Sequence, residues 1–209
     1  MLRILIADDH MVVRKGLKQI LLEEFPTAHI EDVPDAEGMI KKIMNAKWDV
    51  VVSDLSMPGR SGLDALQQIK QINANLPVLI LSIHPEEHYA LRVLKAGASG
   101  YLSKGSASEE LVKAVQTVLL GKKYISASVA EKLATNFYSD SAKQAHELLS
   151  DREFDVMKQL AIGKSVSEIA DILSLSVTTI STYRARIMSK MNLKTNSDLT
   201  KYAIENNLI

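Results

Sequence analysis

Cysteine is absent from all 209 residues. That removes disulfides, thiolate metal sites and cysteine nucleophiles together, and it fits a reducing compartment. No apolar run approaches the roughly 18 residues that a membrane-spanning helix needs. MLRILIAD, residues 1–8, is too short and too soon acidic for a secretory leader. A soluble cytoplasmic protein without a membrane partner is expected. A strongly basic footprint is missing too: residues 1–121 hold 13 Lys+Arg against 15 Asp+Glu, and residues 148–209 hold 8 against 7. Contact with nucleic acid must therefore come from local placement of charge. Repeats and low-complexity tracts are also lacking. The 46% hydrophobic content suffices for ordinary cores, and the length suits two domains.

The first 120 residues alternate short apolar, β-branched runs with longer segments of helical spacing. The runs are Ile4–Ala7, Ile30–Val33, Val50–Ser53, Val78–Leu81 and Gly100–Leu102, and the helical segments are Val12–Glu24, Asp35–Lys47, Gly62–Ile72, Glu86–Lys95 and Glu109–Leu119. Punctuation agrees: Pro85 suits a first helical turn, Gly97 a C-terminal cap, and Ser106 with Glu109 has capping-box spacing. Strands without internal alternation are buried on both faces, and strand–helix repetition implies right-handed crossovers. A five-stranded parallel, doubly wound α/β domain of flavodoxin-like type is predicted over 1–121. Residues 122–147 are richer in Ser and Ala and read as a partly helical linker around Val129–Phe137. Residues 148–209 read as a small all-α domain with helices at about 151–162, 166–173, 177–191 and 196–205, the first opened by the capping-box pair Ser150 and Glu153.

In an open parallel sheet the C-terminal strand ends share one edge, and ligands bind there. Strand one ends at Asp8-Asp9, strand three at Asp54 and strand four at Ser82, while Lys104 follows strand five. Three close carboxylates raise one another's pKa unless a cation joins them. A hard divalent ion with oxygen ligands, Mg²⁺ above all, resolves the repulsion. With the cation bound, Asp54 can attack phosphorus and form an aspartyl phosphate. Lys104 and the Ser82 hydroxyl can then neutralise the phosphoryl oxygens. Any one of these residues alone is ordinary; the five in strand order are not.

DDH at 8–10, SDLSMPG at 53–59, LS at 81–82 and the Tyr101–Lys104 segment resemble the receiver domain of two-component response regulators. The resemblance implies that Asp54 is the phosphoacceptor and that Asp9 and Asp54 bind Mg²⁺ directly. The Ser56 backbone carbonyl completes the protein ligands, with Asp8 acting through water. Ser82 and Lys104 contact the phosphoryl group, and Tyr101 changes rotamer with Ser82. Two departures stand out. Lys104 is followed by Gly105 where many receivers have proline, and Ile83-His84 follows Ser82 where a small residue is common. Ser56 and His84 then flank the path of an attacking water and, with Ile83, are expected to set the dephosphorylation rate.

SVSEIADILSLSVTTISTYRARIMSKMNL, 165–193, has two helices with helix-turn-helix spacing. Ile169, Ala170, Leu173, Val177, Ile180 and Ile187 are the expected core, and hydroxyl and cationic side chains on the second helix suit phosphates and base edges. Residues 149–203 are similar to the LuxR-type DNA-binding domain through Asp151-Arg152-Glu153, Gly163-Lys164-Ser165, Glu168-Ile169-Ala170, Thr179-Ile180 and Lys190-Met191. Ser181 and Tyr183 stand where that pattern often has Lys and His. Ser181, Thr182 and Ala185 are expected to face bases, with Thr179, Arg184, Arg186 and Lys190 nearer phosphates.

Together the two halves resemble a NarL/FixJ-subfamily response regulator. The resemblance implies a histidine kinase or small phosphodonor as the source of the phosphoryl group, a pseudo-palindromic double-stranded DNA site, and RNA polymerase as a further partner. It also implies a homodimer on activation, with residues 196–205 as the candidate dimer surface. The chain's chemistry is then confined to its own phosphorylation and dephosphorylation. Two alternatives stay open: a Mg²⁺-dependent aspartyl-phosphate phosphatase of the haloacid-dehalogenase kind, and a phosphorylation-independent DNA-binding protein with a vestigial receiver. The first normally has a second Asp two residues after the nucleophile, where this chain has Ser56.

Overall fold

The computed structural model describes residues 1–57, 62–126, 129–131 and 144–209, with the side chains of Glu87, His88 and Asp151 left outside that description. Pro58 and Gly59 of the SDLSMPG motif, and all but the first three residues of the expected linker helix, therefore lie outside it. The chain divides into two compact units, Met1–Tyr138 and Ser139–Ile209.

The first unit runs β1 (Arg3–Ala7), α1 (Met11–Glu24), β2 (His29–Val33), α2 (Ala36–Asn45), β3 (Val50–Asp54), α3 (Gly62–Ile72), β4 (Val78–Ser82), α4 (Glu86–Lys95), β5 (Gly100–Ser103) and α5 (Ala107–Leu119). All strand pairs are parallel, in the order β2-β1-β3-β4-β5. Every residue of β3 and β4 is buried, as uninterrupted apolar runs require when helices cover both faces. One of the core layers packs Ile4, Ile6, Val50, Val52, Leu79 and Leu81 with Leu17, Leu21, Leu111 and Val115. The chain order reverses direction across the sheet between β1 and β3, which opens the crevice where such sheets bind ligands.

Local chemistry sets the helix limits. Asp35 caps α2 by accepting the Gly38 N–H at 2.7 Å. Pro85 stands at the N-cap of α4 rather than inside its first turn, and Gly97, at φ +102°, follows its C-cap. The capping box expected at Ser106 does not form. Ser106 has near-helical backbone angles rather than the extended ones of an N-cap, and its hydroxyl donates to the Ser103 carbonyl at 3.3 Å without accepting from the helix amides. The segment expected as linker from residue 122 begins inside the first unit. Tyr124 packs on the core, its N–H bonds Ser99 O at 2.8 Å, and it pairs with Gly100. A Cβ on Gly100 would lie 2.7 Å from Tyr124 O, so only glycine admits that pairing.

The second unit has a short 3₁₀ turn (Ala145–Leu148) and helices α6 (Asp151–Ala161), α7 (Val166–Leu173), α8 (Val177–Met191) and α9 (Asn196–Glu205), with no strand among its described residues. Ser150, Ser165 and Thr195 each complete a capping box, with Glu153, Glu168 and Asp198 respectively. Ser174 links α7 to α8 in the left-handed conformation that a tight inter-helix turn uses. Ile169, Ala170, Ile180 and Ile187 are buried as expected. Val177 is not: it is 50% exposed, because a side chain at the first position of a helix leans back over the turn, away from the core.

Candidate functional site

Strand register brings the carboxylates together. Ala7 pairs with Ser53, Asp54 with Leu81, and Ser82 with Ser103, so Asp8, Asp54, Ser82 and Lys104 arrive in adjacent rows at one sheet edge. The backbone fixes those rows further, with Leu55 N–H on Leu81 O at 3.0 Å and Lys104 N–H on Ser82 O at 2.8 Å. Gly62 closes the return from β3: a Cβ there would come within 2.2 Å of Asp54 O, so α3 packs against the strand end only without one.

Asp8, Asp54 and Ser82 are buried. Lys104 Nζ bridges the two acids, 2.7 Å from Asp8 Oδ2 and 3.0 Å from Asp54 Oδ2. Burial pushes the Asp54 carboxyl upward, Lys104 pulls it back, and the Asp8 charge adds to the rise; the net direction is up. For Lys104, burial favours the neutral amine, but the two carboxylates outweigh it and hold the ammonium charged. Asp8, Asp9, His10 and Asp54 each offer one ligand atom, all within 4.8 Å of one another. Three carboxylates against one nearby ammonium leave the edge two charges negative, the deficit that one divalent cation fills.

A hydrogen-bonded chain runs outward from this edge. Ser82 Oγ accepts the His84 N–H at 3.1 Å, and the His84 carbonyl accepts the Tyr101 hydroxyl at 2.7 Å. His84 Nε2 lies 3.0 Å from Ser56 Oγ, and its ring stacks on Tyr89 at 4.6 Å. Tyr101 is buried, pointing inward. Lys104-Gly105 needs no cis bond, and none occurs among the described residues. Arg14 was not apparent from sequence. Its Nη1 donates to Asp8 O at 2.7 Å and its Nε to Asp32 Oδ2 at 2.9 Å, anchoring the loop that carries Asp8 and Asp9.

On α8 the buried residues Ile180, Ile187 and Met191 define one face. At about 100° per residue, the exposed residues Thr178, Thr182, Ala185 and Ser189 fall on the opposite face, with Ser181 at its edge. Arg186 is exposed beside that stripe, while Arg184 is exposed on the flank nearer the buried face, its Nε donating to Asn196 Oδ1 at 3.0 Å. Thr179 is the third residue of α8, and its N–H donates to the N-cap Ser176 Oγ at 3.0 Å. Lys190, expected near phosphates, instead lies 2.6 Å from the carboxylate of buried Glu153. Glu153 needs that charge close by, which holds the partly exposed ammonium against the domain. Ser189 shares the outward face and was not singled out from sequence.

A buried carboxylate–ammonium edge on a doubly wound sheet, followed in the same chain by a helix-turn-helix unit, defines a class of signal-receiving DNA-binding proteins. Residues 4–116 match the response regulator receiver domain, and residues 147–203 match the bacterial regulatory proteins of the luxR family. The response regulator UvrY of Escherichia coli is 34% identical over 209 residues, covering 100% of this chain and 96% of that protein. The oxygen regulatory protein NreC of Staphylococcus carnosus is 35% identical over 215 residues, covering 100% and 99%. RcsB of Salmonella enterica serovar Typhimurium, solved bound to promoter rprA with phosphomimetic BeF₃⁻, superposes with a TM-score of 0.64 at 26% identity, over 97% of this chain and 98% of that one. The chain belongs to the NarL/FixJ-type response regulators, two-component transcription regulators with a LuxR-type DNA-binding domain.

Proposed function

We propose that Asp54 accepts a phosphoryl group from a sensor histidine kinase or a small phosphodonor, and that the modification controls dimerisation and sequence-specific DNA binding. An Asp54 carboxylate oxygen forms the new O–P bond as the bond to the donor's leaving group breaks, the electron pair departing with that group. Mg²⁺, when bound, supplies the charge that steadies the phosphoryl oxygens. Asp9, Asp54 and the Ser56 carbonyl would hold it directly, and Asp8 through water. Lys104 would turn from its two carboxylates toward a phosphoryl oxygen, and Ser82 would release the His84 N–H to donate to another.

The observation that carries this reading is the ammonium of Lys104 bridging two buried carboxylates at the strand ends. Because Ser82 holds the His84 N–H and Tyr101 holds the His84 carbonyl, movement at Ser82 is passed to Tyr101 and the 84–105 face. That shift would bias a pre-existing equilibrium between inactive and DNA-binding forms. The protein's covalent chemistry stays on Asp54: the position a phosphatase would fill with a second acid holds Ser56, whose hydroxyl bonds His84.

In the active form two copies, paired through α9 in the cytoplasm, would read a pseudo-palindromic site and meet RNA polymerase there. The test is a mobility-shift titration of wild type and Asp54→Asn with and without beryllofluoride, joined to genome-wide occupancy of both proteins. Tighter DNA binding and dimerisation of wild type alone are expected. Equal affinity and equal oligomeric state in all four samples would reject phosphorylation control.

A further inference from the structure

His10 occupies the N-cap of α1, yet its side chain makes no cap hydrogen bond. Helix N-caps favour side chains whose oxygen satisfies a free amide, so the imidazole here has another task. Its Nδ1 lies 2.7 Å from Asp9 Oδ1 and 3.3 Å from Asp8 Oδ1, while its backbone N–H donates to Asp8 Oδ1 at 2.8 Å. Asp8 Oδ2 and Asp9 Oδ1 are shut off from solvent, and the groups beside them are the Lys104 ammonium at 2.7 Å from the first and His10 Nδ1 at 2.7 Å from the second. The Asp8 side chain is 1% exposed and aimed into the cluster. Buried carboxylate oxygens grouped with an imidazole nitrogen form a mixed oxygen–nitrogen donor set.

Mixed donors discriminate between ions. Mg²⁺ is hard, takes oxygen ligands and dehydrates reluctantly. Imidazole suits first-row transition ions, whose affinity for nitrogen sites rises along the series that begins at Mn²⁺. We propose that His10 is a nitrogen ligand at the cation site and gives it a preference for Mn²⁺ over Mg²⁺ that the carboxylates alone do not supply. The inference rests on the cation-binding reading above. The ring is 66% exposed, so it approaches the site from the solvent side and can adjust without repacking the core.

Full-length wild type, His10→Ala, His10→Gln and Asp54→Asn are titrated with Mn²⁺, the free aqua ion being followed by electron paramagnetic resonance, and with Mg²⁺ in competition. Electron spin-echo modulation of the Mn²⁺ complex reads directly whether a ¹⁴N nucleus is coordinated. Wild type is expected to show nitrogen modulation that both His10 variants lose. Their Mn²⁺ affinity falls by about tenfold or more, the loss typical when support for a metal is removed, and their Mg²⁺ affinity changes much less. Asp54→Asn weakens both ions. Mn²⁺ bound by wild type without nitrogen modulation, or equal losses for both ions in the His10 variants, would overturn the role of His10 and leave the cation site standing. Failure of wild type to bind either ion would overturn both.

Discussion

Asp54 carries its charge at a cost. Burial raises its carboxyl pKa, with Lys104 opposing, so the folded chain holds that proton more tightly than the unfolded chain does. Above the folded pKa the ionised group therefore subtracts stability, and the penalty fades as pH falls through that value. Asp54→Asn keeps the shape and drops the charge. Its receiver unit should melt a few degrees higher than wild type at pH 7 in Mg²⁺-free buffer, since about 1 kcal/mol shifts Tm by 4–8 °C in a small domain, with the gap closing toward acid. A lower melting temperature at pH 7 would contradict this account. His84 sets a different quantity. Losing its bond to Ser56, about 0.5–1.5 kcal/mol, corresponds to roughly a two- to tenfold change in a rate. His84→Ala should change the aspartyl-phosphate lifetime by that factor, and Ile83→Ala, at an exposed position, should act in the same assay. Lifetimes equal to wild type in both would remove these residues from the dephosphorylation step. Asp8, Asp54, Ser82 and Lys104 were legible because each ends or follows a strand, so strand order alone brings them together. The Ser56–His84 bond and the fork of Arg14 were not. Both depend on how loops from different elements settle beside one another, which residue spacing does not encode.

Helix boundaries were legible wherever a hydroxyl and an acid stood three apart in a true N-cap conformation, as at Ser150 with Glu153. They were not at Ser106, where the backbone was already near-helical. The same Glu153 also shows what spacing hides. Its carboxylate is buried, and though burial alone would raise its pKa, Lys190 and Ser150 together bring it below the ordinary range. The pair joins α6 to α8, residues 37 apart. Lys190→Ala leaves a buried carboxylate without its cation and should cost the DNA-binding unit about 3 kcal/mol. Glu153→Gln should cost less, about 1–2 kcal/mol, because the Lys190 head group, 41% exposed, can swing into water. A depressed carboxyl pKa contributes stability that is full above the unfolded value and disappears as pH falls through the folded one. Urea midpoints should therefore drop on acidification in wild type and less so in Glu153→Gln. Equal midpoints for wild type and Lys190→Ala would show that the pair is worth nothing.

At the scale of the whole molecule, the near-neutral charge and the two-unit division constrain how DNA is held. With Lys190 drawn onto Glu153, the remaining cations of α8 are Arg184 and Arg186. Each phosphate neutralised releases counterions, and the logarithm of affinity falls against the logarithm of salt with a slope of about −0.9 per contact. The two arginines thus account for a slope near −1.8 in one protomer and near −3.6 in a pair. Low charge makes single-copy binding weak, so affinity must come from presenting two copies at once on a two-fold site. Under the proposed scheme, control of pairing by the receiver would become control of binding, which would give the bridged Asp54–Lys104 edge its leverage over α8. Arg184→Ala with Arg186→Ala in the activated protein should flatten the salt slope by about 3 to 4 and weaken all sequences alike. Ser181→Ala on the stripe should leave the slope unchanged and relax the preference among sites, by about 1–3 kcal/mol at one base pair. Fluorescence anisotropy over a salt series, with a specific and a scrambled duplex, separates the two effects. A slope unchanged by the double substitution would place the phosphate contacts on another part of the domain, and a slope altered by Ser181→Ala would deny the stripe its reading role.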